Sequence, residues 1–533
     1  MVVTPAPGGA IAVTPHAAAS ETAIRILREG GDAIEAMVGA AATISVVYPH
    51  MTGLGGDAFW LIREPDGRVR AIDGGGPAGS NVTSALYRAR HLDRIPEYGP
   101  LAANTVAGAV DSWNIALGIS HRRWGGRLPL GQLLEDAIGH AEQGVVISES
   151  QIRATRRRLH ELAKDSTFQE QFLVHGQAPP QDHRIYARAL ADTLRRLAEN
   201  GLEDFYRGSL GRVIAEGLRA TGSPLIREDL ERYHASEVEP LVLAHSLGQI
   251  WNVPPPTQGL VSLVLLGILD RVGLGDTLSE SADYIHLVVE ATKQAFSVRD
   301  PALGSPPASR ISPAQCLAPA FLDELAARIQ LDCVLPWRHR ADPGDTVWMG
   351  TVDRHGRTVS FIQSLYHEFG SGVVAGNTGI LWHNRGCGFS LDAHEPNALL
   401  PGRKPVHTLN PALAVLANGD LLAYGSMGGD GQPQTQAVLF TRSVVFGQTL
   451  QEAIRAPRWL LGRTWGRNSD ALRLEARFPE SIVASLRARG HRIEMLAPFD
   501  EAVGHAGMIL RRRDGSLSGA ADPRGDGTVR YDP

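Results

Sequence analysis

The chain has 533 residues, of which 43% are hydrophobic and 20% are charged, as is usual for a globular protein. Its net charge of −5 (52 basic minus 57 acidic residues) provides no basic field for nucleic acid or an anionic membrane surface. The three cysteines, Cys316, Cys333 and Cys387, are too few for a disulfide framework and lack metal-ligand spacing. No signal-peptide pattern opens the sequence, so we expect a cytoplasmic protein without nucleic-acid or membrane partners.

The first 75 residues predict two helices followed by a β-hairpin. Helical character extends over residues 17–29 and stops at two glycines, after which Asp32 can cap a second helix. The longest apolar stretch, Ala36–Val47, has twelve residues, which is too short for a membrane span and indicates burial against a sheet. A strand at 58–62, a Pro-Asp-Gly turn and a strand at 69–72 then form the hairpin.

Residues 115–235 are rich in predicted helix, and four arginines lie between positions 153 and 158. Acidic residues follow these arginines closely, so we interpret the cluster as a solvated helix face rather than a binding patch. Further helices are predicted at 260–269 and 282–298. The Pro-rich stretch 301–343 predicts an irregular surface linker.

Thr346 follows this linker and opens a strand-like run. Threonine is β-branched and favours strands, so the residue taken alone has a purely structural explanation. The alternative is chemical, because a chain that cut itself before Thr346 would place a free α-amino group beside a nucleophilic hydroxyl. The unperturbed pKa of such an amine, about 7.7–8, suits a general base near neutral pH.

The chain after Thr346 predicts strands where the preceding chain predicts helices. Hairpins are expected at 346–352 with 358–366, and at 412–416 with 421–424, the second with a strong Asn-Gly turn. A glycine loop then precedes a helix-like run at 435–446, and the N–H groups of Gly428 and Gly429 can form an oxyanion hole. A plain strand-to-helix turn explains the same glycines equally well. Strands clustered after helices predict a layered α+β sandwich with outer helices.

Several motifs together carry a resemblance to a known family. In chain order they are Gly53-Leu-Gly-Gly-Asp57, Asn104-Thr-Val-Ala-Gly108, Pro254-Pro-Pro-Thr-Gln-Gly259, Glu290-Ala-Thr-Lys-Gln-Ala-Phe296, Phe369-Gly-Ser-Gly-Val-Val-Ala-Gly376, Gly379-Ile-Leu381, Pro405 to Pro411 and Gly425 to Gly429. With them the chain resembles the γ-glutamyltransferase family of N-terminal-nucleophile hydrolases over nearly its whole length. The resemblance implies a four-layer αββα sandwich made as one precursor. Self-cleavage would yield a large subunit (1–345) and a small, nucleophile-bearing subunit (346–533) of one intertwined fold, and such αβ units can pair as dimers.

The same resemblance implies roles for individual residues. The bond between Asp345 and Thr346 is the expected cleavage site, after which Thr346 attacks an amide to form an acyl-enzyme. Ser364 matches a second hydroxyl, a threonine in relatives, that holds the nucleophile and its amine in position. Gly428 and Gly429 match the oxyanion-hole pair. Neither a metal nor a cofactor is expected, because this chemistry needs none.

Substrate recognition departs from the glutathione-cleaving members of the family. No arginine stands in the segment 73–77, where those relatives bind the α-carboxylate, and Gly388 stands where they carry an aspartate for the α-amino group. Tyr366 replaces an asparagine, and His407 and Thr408 replace two serines. Losing both halves of a zwitterion clamp argues against a γ-glutamyl substrate, because an unpaired charge in a closed site is costly.

The replacing residues look like the branch of the family that contains oxamate amidohydrolase. Arg385 is the candidate to bind a carboxylate next to the scissile amide, with a surface or structural arginine as the alternative. Tyr366, His407 and Thr408 complete the candidate substrate-binding set, although His407 also fits a buried core histidine. We therefore expect hydrolysis of a small amide such as oxamate. A γ-glutamyl hydrolase or transpeptidase, a cephalosporin-type acylase, and an inactive, unprocessed paralogue with a binding or structural role stay open.

Overall fold

The computed structural model describes residues 8–303, 311–337, 344–462 and 469–532. Its strands are β1 (Ala10–Thr14), β2 (Asp57–Arg63), β3 (Val69–Gly74), β4 (Val145–Val146), β5 (Arg184–Ile185), β6 (Ser236–Val238), β7 (Leu241–His245), β8 (Gly248–Asn252), β9 (Asp345–Val352), β10 (Thr358–Tyr366), β11 (Ala412–Leu416), β12 (Leu421–Ser426), β13 (Trp459–Leu461), β14 (Leu472–Glu475), β15 (Ile493–Leu496), β16 (Ala506–Arg511), β17 (Leu517–Ala521) and β18 (Thr528–Asp532). The predicted hairpins therefore form β2–β3, β9–β10 and β11–β12.

The helices alternate with these strands along the chain. They are α1 (Ala17–Arg28), α2 (Ala33–Val47), α3 (Ser84–Arg88), α4 (Ala109–Ile119), α5 (Leu130–Gln143), α6 (Glu149–Leu162), α7 (Ser166–Phe172), α8 (Arg188–Asn200), α9 (Ser209–Thr221), α10 (Arg227–Arg232), α11 (Gly259–Leu269), α12 (Ala282–Ser297), α13 (Arg299–Leu303), α14 (Pro313–Cys316), α15 (Pro319–Ala327), α16 (Gly431–Phe440), α17 (Leu450–Arg455) and α18 (Glu480–Ala488). Within the described ranges, none of these helices is both long enough and apolar enough to cross a bilayer.

Two antiparallel sheets form the centre of the molecule. One has seven strands in the order β18-β1-β9-β10-β2-β3-β6, and the other has six in the order β17-β16-β12-β11-β8-β7. Smaller sheets combine β13-β14-β15 and β4-β5. Each large sheet contains strands from before and after the bond between Asp345 and Thr346. The two segments are therefore interleaved rather than laid side by side.

Three hydrophobic layers hold this arrangement together. Alternate side chains of the two sheets meet between them, including Phe59, Trp348 and Leu413. The opposite face of the first sheet packs against α1, α2 and α4, while α11 and α16 cover the second. Burial of apolar surface on both faces of each sheet explains the order helix, sheet, sheet, helix. The predicted αββα sandwich is confirmed.

The helix α2 shows how local sequence produces this packing. Asp32 accepts hydrogen bonds from the amides of Ile34 and Glu35, at 2.8 and 3.0 Å, and Glu35 accepts one from the Asp32 amide at 2.9 Å. This capping box satisfies amides that a helix start leaves unpaired. Every residue of α2 is buried, because the helix lies between the first sheet and other helices. The predicted cap and buried helix are confirmed.

The prediction of an irregular linker over 301–343 is wrong in part. The described residues of this stretch include the end of α13 and the whole of α14 and α15, and α15 packs against α11 and α12. Pro313 and Pro319 each stand in the first turn of a helix, where the missing N–H has no cost, so they mark helix starts rather than loops. Residues 304–310 and 338–343 lie outside the described part of the chain.

Candidate active site

The hydroxyl of Thr346 lies at the start of β9, and the residue is only 2% exposed. Its Oγ1 accepts a hydrogen bond of 3.5 Å from Nε2 of Gln432 on α16. The Oε1 of Gln432 accepts from Nδ2 of Asn410 at 3.2 Å, and Oδ1 of Asn410 accepts from Oγ of Ser262 at 2.8 Å. A hydrogen-bonded series from α11 to the hydroxyl thus orients Thr346. Sequence reasoning missed Gln432 and Asn410, which no spacing pattern connects to Thr346.

Ser364 lies against the peptide bond between Asp345 and Thr346. The Oγ of Ser364 donates a short hydrogen bond to the carbonyl oxygen of Asp345 and accepts one of 2.7 Å from the amide of Tyr366. The pairing of β10 with β9 is irregular between Gln363 and Tyr366, so Ser364 has no regular partner on β9. Among the described residues, Ser364 therefore contacts the carbonyl of Asp345 and the amide of Tyr366 rather than the hydroxyl of Thr346.

Gly428 and Gly429 form the turn between β12 and α16. Their φ angles of 122° and 52° lie in the left-handed range, which a glycine adopts without steric cost. A Cβ atom built on Gly344 would lie 3.4 Å from Cα of Gly429 and 3.3 Å from the ring of Tyr366. Gly344, two positions before Thr346, is therefore packed between the glycine pair and that ring.

The carboxyl of Asp345 is buried beside a second acid. Burial raises the pKa of Asp345 well above its ordinary value, and the charge of Glu368 adds to the increase. Glu368 itself is 1% exposed and is held by Arg157 and Arg158 of α6, at 2.7 and 2.9 Å. The raised pKa favours the protonated form of Asp345 beside the charged Glu368.

These contacts change only part of the interpretation of the arginine cluster on α6 as a solvated helix face, because Arg153, Arg156 and Arg157 are exposed and Arg158 is partly buried. The guanidinium groups of Arg153 and Arg157 also contact Glu501, at 3.2 and 3.4 Å. Glu368 and Glu501 lie more than 200 positions away along the chain. The acidic residues that follow the cluster in sequence therefore did not indicate these ion pairs.

Arg385 begins a 3₁₀ turn, Arg385–Gly388. Asn384, the residue before this turn, is hydrogen-bonded to the end of β10. The amide of Asn384 donates to the carbonyl of Leu365 at 3.2 Å, which brings the turn to Tyr366. The guanidinium carbon of Arg385 lies 3.6 Å from the centre of the Tyr366 ring. Arg385 is 1% exposed, and its three side-chain nitrogens have no hydrogen-bond partner among the described residues.

His407 is held by a buried carboxylate that sequence reasoning did not select. Asp57 accepts from Nε2 of His407 at 2.9 Å, and Nδ1 of His383 lies 3.3 Å from the same oxygen. Burial opposes the charged form of Asp57, but the two histidines and their hydrogen bonds hold its pKa below the ordinary value. Burial lowers the pKa of His407, which favours the neutral ring.

Asp57 is the last residue of the motif Gly53-Leu-Gly-Gly-Asp57. Its other carboxylate oxygen accepts from the amides of Gly76 and Gly108, at 3.1 and 3.2 Å. Thr408, beside His407, is buried, and its carbonyl accepts from Nδ2 of Asn410 at 2.8 Å. The predicted residues His407 and Thr408 thus lie between the Asp57 cluster and the series that reaches Thr346.

A group of metal-ligand type lies elsewhere, where α12 packs on the end of α18, and no sequence spacing indicated it. His286, Glu290 and His491 bring their ligand atoms within 4.8 Å of one another. The two histidines hydrogen-bond each other at 2.8 Å, and Nζ of Lys293 lies 2.7 Å from Glu290. These contacts already satisfy the group, and the ammonium opposes a further cation.

Comparison with known proteins shows which family the chain belongs to. The gamma-glutamyltranspeptidase family model matches residues 19–531. The sequence is 53% identical over 519 residues to the oxamate amidohydrolase proenzyme of Klebsiella pneumoniae, which covers 97% of this chain and 98% of that protein. It is 38% identical to a glutathione hydrolase-like proenzyme of Bacillus subtilis, with 97% of each chain covered.

A solved structure agrees with the sequence comparison. The cephalosporin acylase of Bacillus halodurans superimposes with a TM-score of 0.90 and 32% identity, over 99% of this chain and 96% of that one. The chain belongs to the gamma-glutamyltranspeptidase family.

Proposed function

We propose that this chain is a self-processing amidohydrolase that uses Thr346 as an N-terminal nucleophile on a small amide such as oxamate. Arg385 carries the substrate assignment, because a buried guanidinium without a counter-ion costs several kcal/mol in the folded state. A carboxylate next to the scissile amide would supply that counter-ion through two parallel hydrogen bonds. The likeness to a proenzyme named for oxamate hydrolysis supports the same substrate class.

Processing begins with attack of the Thr346 hydroxyl on the carbonyl carbon of Asp345. The hydroxyl proton passes to the departing peptide nitrogen, and the acyl group moves from nitrogen to oxygen. The Ser364 hydroxyl already donates to the Asp345 carbonyl oxygen, where negative charge develops in this step. Water then hydrolyses the ester and leaves Asp345 as a new C-terminus and Thr346 as a new N-terminus.

Turnover repeats the attack on an external amide. The freed amine of Thr346 takes the hydroxyl proton, Oγ1 attacks the amide carbon, and the amides of Gly428 and Gly429 donate to the oxyanion. Ammonia departs with the proton from the amine, and water cleaves the acyl ester. For oxamate the products are oxalate and ammonium.

The other proposed substrate-binding residues act around Arg385. The Tyr366 ring supports the guanidinium from one side, and the position of its amide is coupled to Ser364. His407, kept neutral by burial and fixed by Asp57, would orient the bound acyl group together with Thr408. Because Asp57 holds one ring nitrogen of His407, the tautomer of that ring is fixed as well.

Mass measurement on the purified wild-type protein and on Thr346→Ala tests the processing step. Cleavage predicts fragments of 345 and 188 residues (533 − 345 = 188) in the wild type and an intact chain in the variant. An uncut wild-type protein with amidase activity would contradict the mechanism.

A substrate panel tests specificity separately. Oxamate should be hydrolysed well above a γ-glutamyl anilide and a cephalosporin side-chain amide. Robust turnover of the glutamyl compound with none of oxamate would favour the γ-glutamyl alternative.

A further inference from the structure

The turn that carries Arg385 ends at Gly388. The backbone conformation at position 388 does not require a glycine. Gly388 lies outside the left-handed φ range, so an L-residue can adopt its conformation without strain. Many other glycines of the chain have positive φ, among them Gly428 and Gly429. The reason for a glycine at position 388 must therefore lie in what surrounds it.

The space beside Gly388 is occupied by the Arg385 side chain. A Cβ atom built on Gly388 would lie 2.6 Å from Nη2 of Arg385, closer than real Cβ contacts allow, and 3.6 Å from its guanidinium carbon. All three of the nearest atoms belong to that guanidinium group. A side chain at position 388 would therefore either displace the arginine or bind it.

Neither partner can move aside freely. The guanidinium is buried against the Tyr366 ring, so displacing it would break that stacking. The backbone of the turn is held by Nδ2 of Asn397, which donates to the carbonyl of Gly388 at 2.8 Å. The Phe389 amide donates to the carbonyl of Gly386 at 3.2 Å, which fixes the other side.

We infer that Gly388 is a specificity-determining residue, because its missing side chain keeps the Arg385 guanidinium in place and unpaired for the carboxylate of the substrate. This inference rests on the proposed function. A carboxylate on residue 388 would take the place of the substrate, since it would form an internal ion pair with Arg385. An uncharged side chain of the same size would crowd the guanidinium without neutralising it.

Gly388→Asp and the isosteric Gly388→Asn test this role in the full chain, with processing followed by mass as a check that the active-site fold forms. We expect kcat/KM on oxamate to fall by about 100-fold in the aspartate variant, as for loss of a charged hydrogen-bonded pair, and by about tenfold in the asparagine variant. Wild-type kcat/KM in Gly388→Asp, or equal losses in both variants, would overturn the inference. A wild-type protein that does not hydrolyse oxamate would overturn both the proposed function and this inference.

A double-mutant cycle identifies the route of the effect. If an added side chain acts through Arg385, adding Gly388→Ala to Arg385→Met should cause no further loss of kcat/KM. Losses that multiply would show that residue 388 acts independently. Should the aspartate variant fail to process, Gly388→Ala gives the decisive result: KM for oxamate should rise several-fold with a smaller change in kcat, and an unchanged KM would contradict the inference.

Discussion

Arg385 and Arg442 are both buried arginines, yet their surroundings are opposite. Arg442, which follows α16, donates from Nε and Nη2 to the carboxylate of Glu280, each at 2.7 Å. It also donates to the carbonyls of Ala453 and Pro457, so each of its three nitrogens has a partner. The three nitrogens of Arg385 have none among the described residues. A buried charge whose partners are all present stabilises the fold, whereas we propose that Arg385 receives its partner from the carboxylate of a ligand.

The largest expected effect comes from removing the fully paired arginine. Arg442→Ala should lower the free energy of unfolding by about 3–5 kcal/mol, because the carbonyls of Ala453 and Pro457 lose their donor and the ion pair with the partly exposed Glu280 is lost as well. Denaturant unfolding of the processed protein measures this loss, and oxamate turnover per folded molecule should not change. If Arg442→Ala unfolds with the same free energy as the wild type, Arg442 does not stabilise the fold and the two arginines do not differ in this way.

The carbonyl of the proposed cleavage site provides the next largest effect. Ser364→Ala removes the donor to the Asp345 carbonyl and should slow self-cleavage by about 10²–10³-fold, as for loss of one oxyanion donor. The time course of fragment appearance by mass spectrometry measures this rate. Ser364→Thr keeps the hydroxyl and is the matched control, and equal slowing in both variants would argue against a role for the donor.

Removing the unpaired arginine should affect activity rather than stability. Arg385→Met keeps a long side chain against the Tyr366 ring and should reduce kcat/KM on oxamate by about 10–100-fold. The free energy of unfolding should stay the same or rise, because an uncompensated buried charge is lost. A drop in stability as large as that of Arg442→Ala would make Arg385 a structural arginine.

A neutral buried pair gives the smallest effect, and it depends on pH. Burial lowers the pKa of His491 to about 3 and also lowers that of its partner His286. Below the ordinary histidine pKa of about 6.5, the unfolded chain therefore binds protons that the folded chain does not. Between pH 6.5 and 5.5, the lowered pKa of His491 should therefore reduce the free energy of unfolding by roughly 1 kcal/mol, and the lowered pKa of His286 acts in the same direction.

Thermal unfolding at pH 7, 6 and 5 measures this dependence, and His491→Gln should flatten it relative to the wild type. If the variant and the wild type show the same pH dependence, the pair does not control acid stability. The pair joins the segments before and after Thr346, so its loss should also weaken their association.

The sequence predicted local features well. The alternation after Thr346, the cap at Asp32 and the apolar run into Val47 each describe a short stretch that one periodicity explains. The errors arose where a local pattern has a distant cause. The arginines of α6 resemble a solvated face because their acidic neighbours are close in sequence, but they bind Glu368 and Glu501.

By itself, the sequence determined the three hairpins β2–β3, β9–β10 and β11–β12, the glycine turn at 428–429 and the threonine at the start of a strand, because these depend on residues within a few positions of one another. Only the tertiary structure decided which charges are paired. His407 meets Asp57 across 350 positions, and Arg158 meets Glu368 across 210. Such contacts depend on how the two sheets and their helices pack, and no spacing along the chain encodes them. The same packing leaves Arg385 buried beside Gly388 without a hydrogen-bond partner among the described residues, and the proposed substrate follows from that charge.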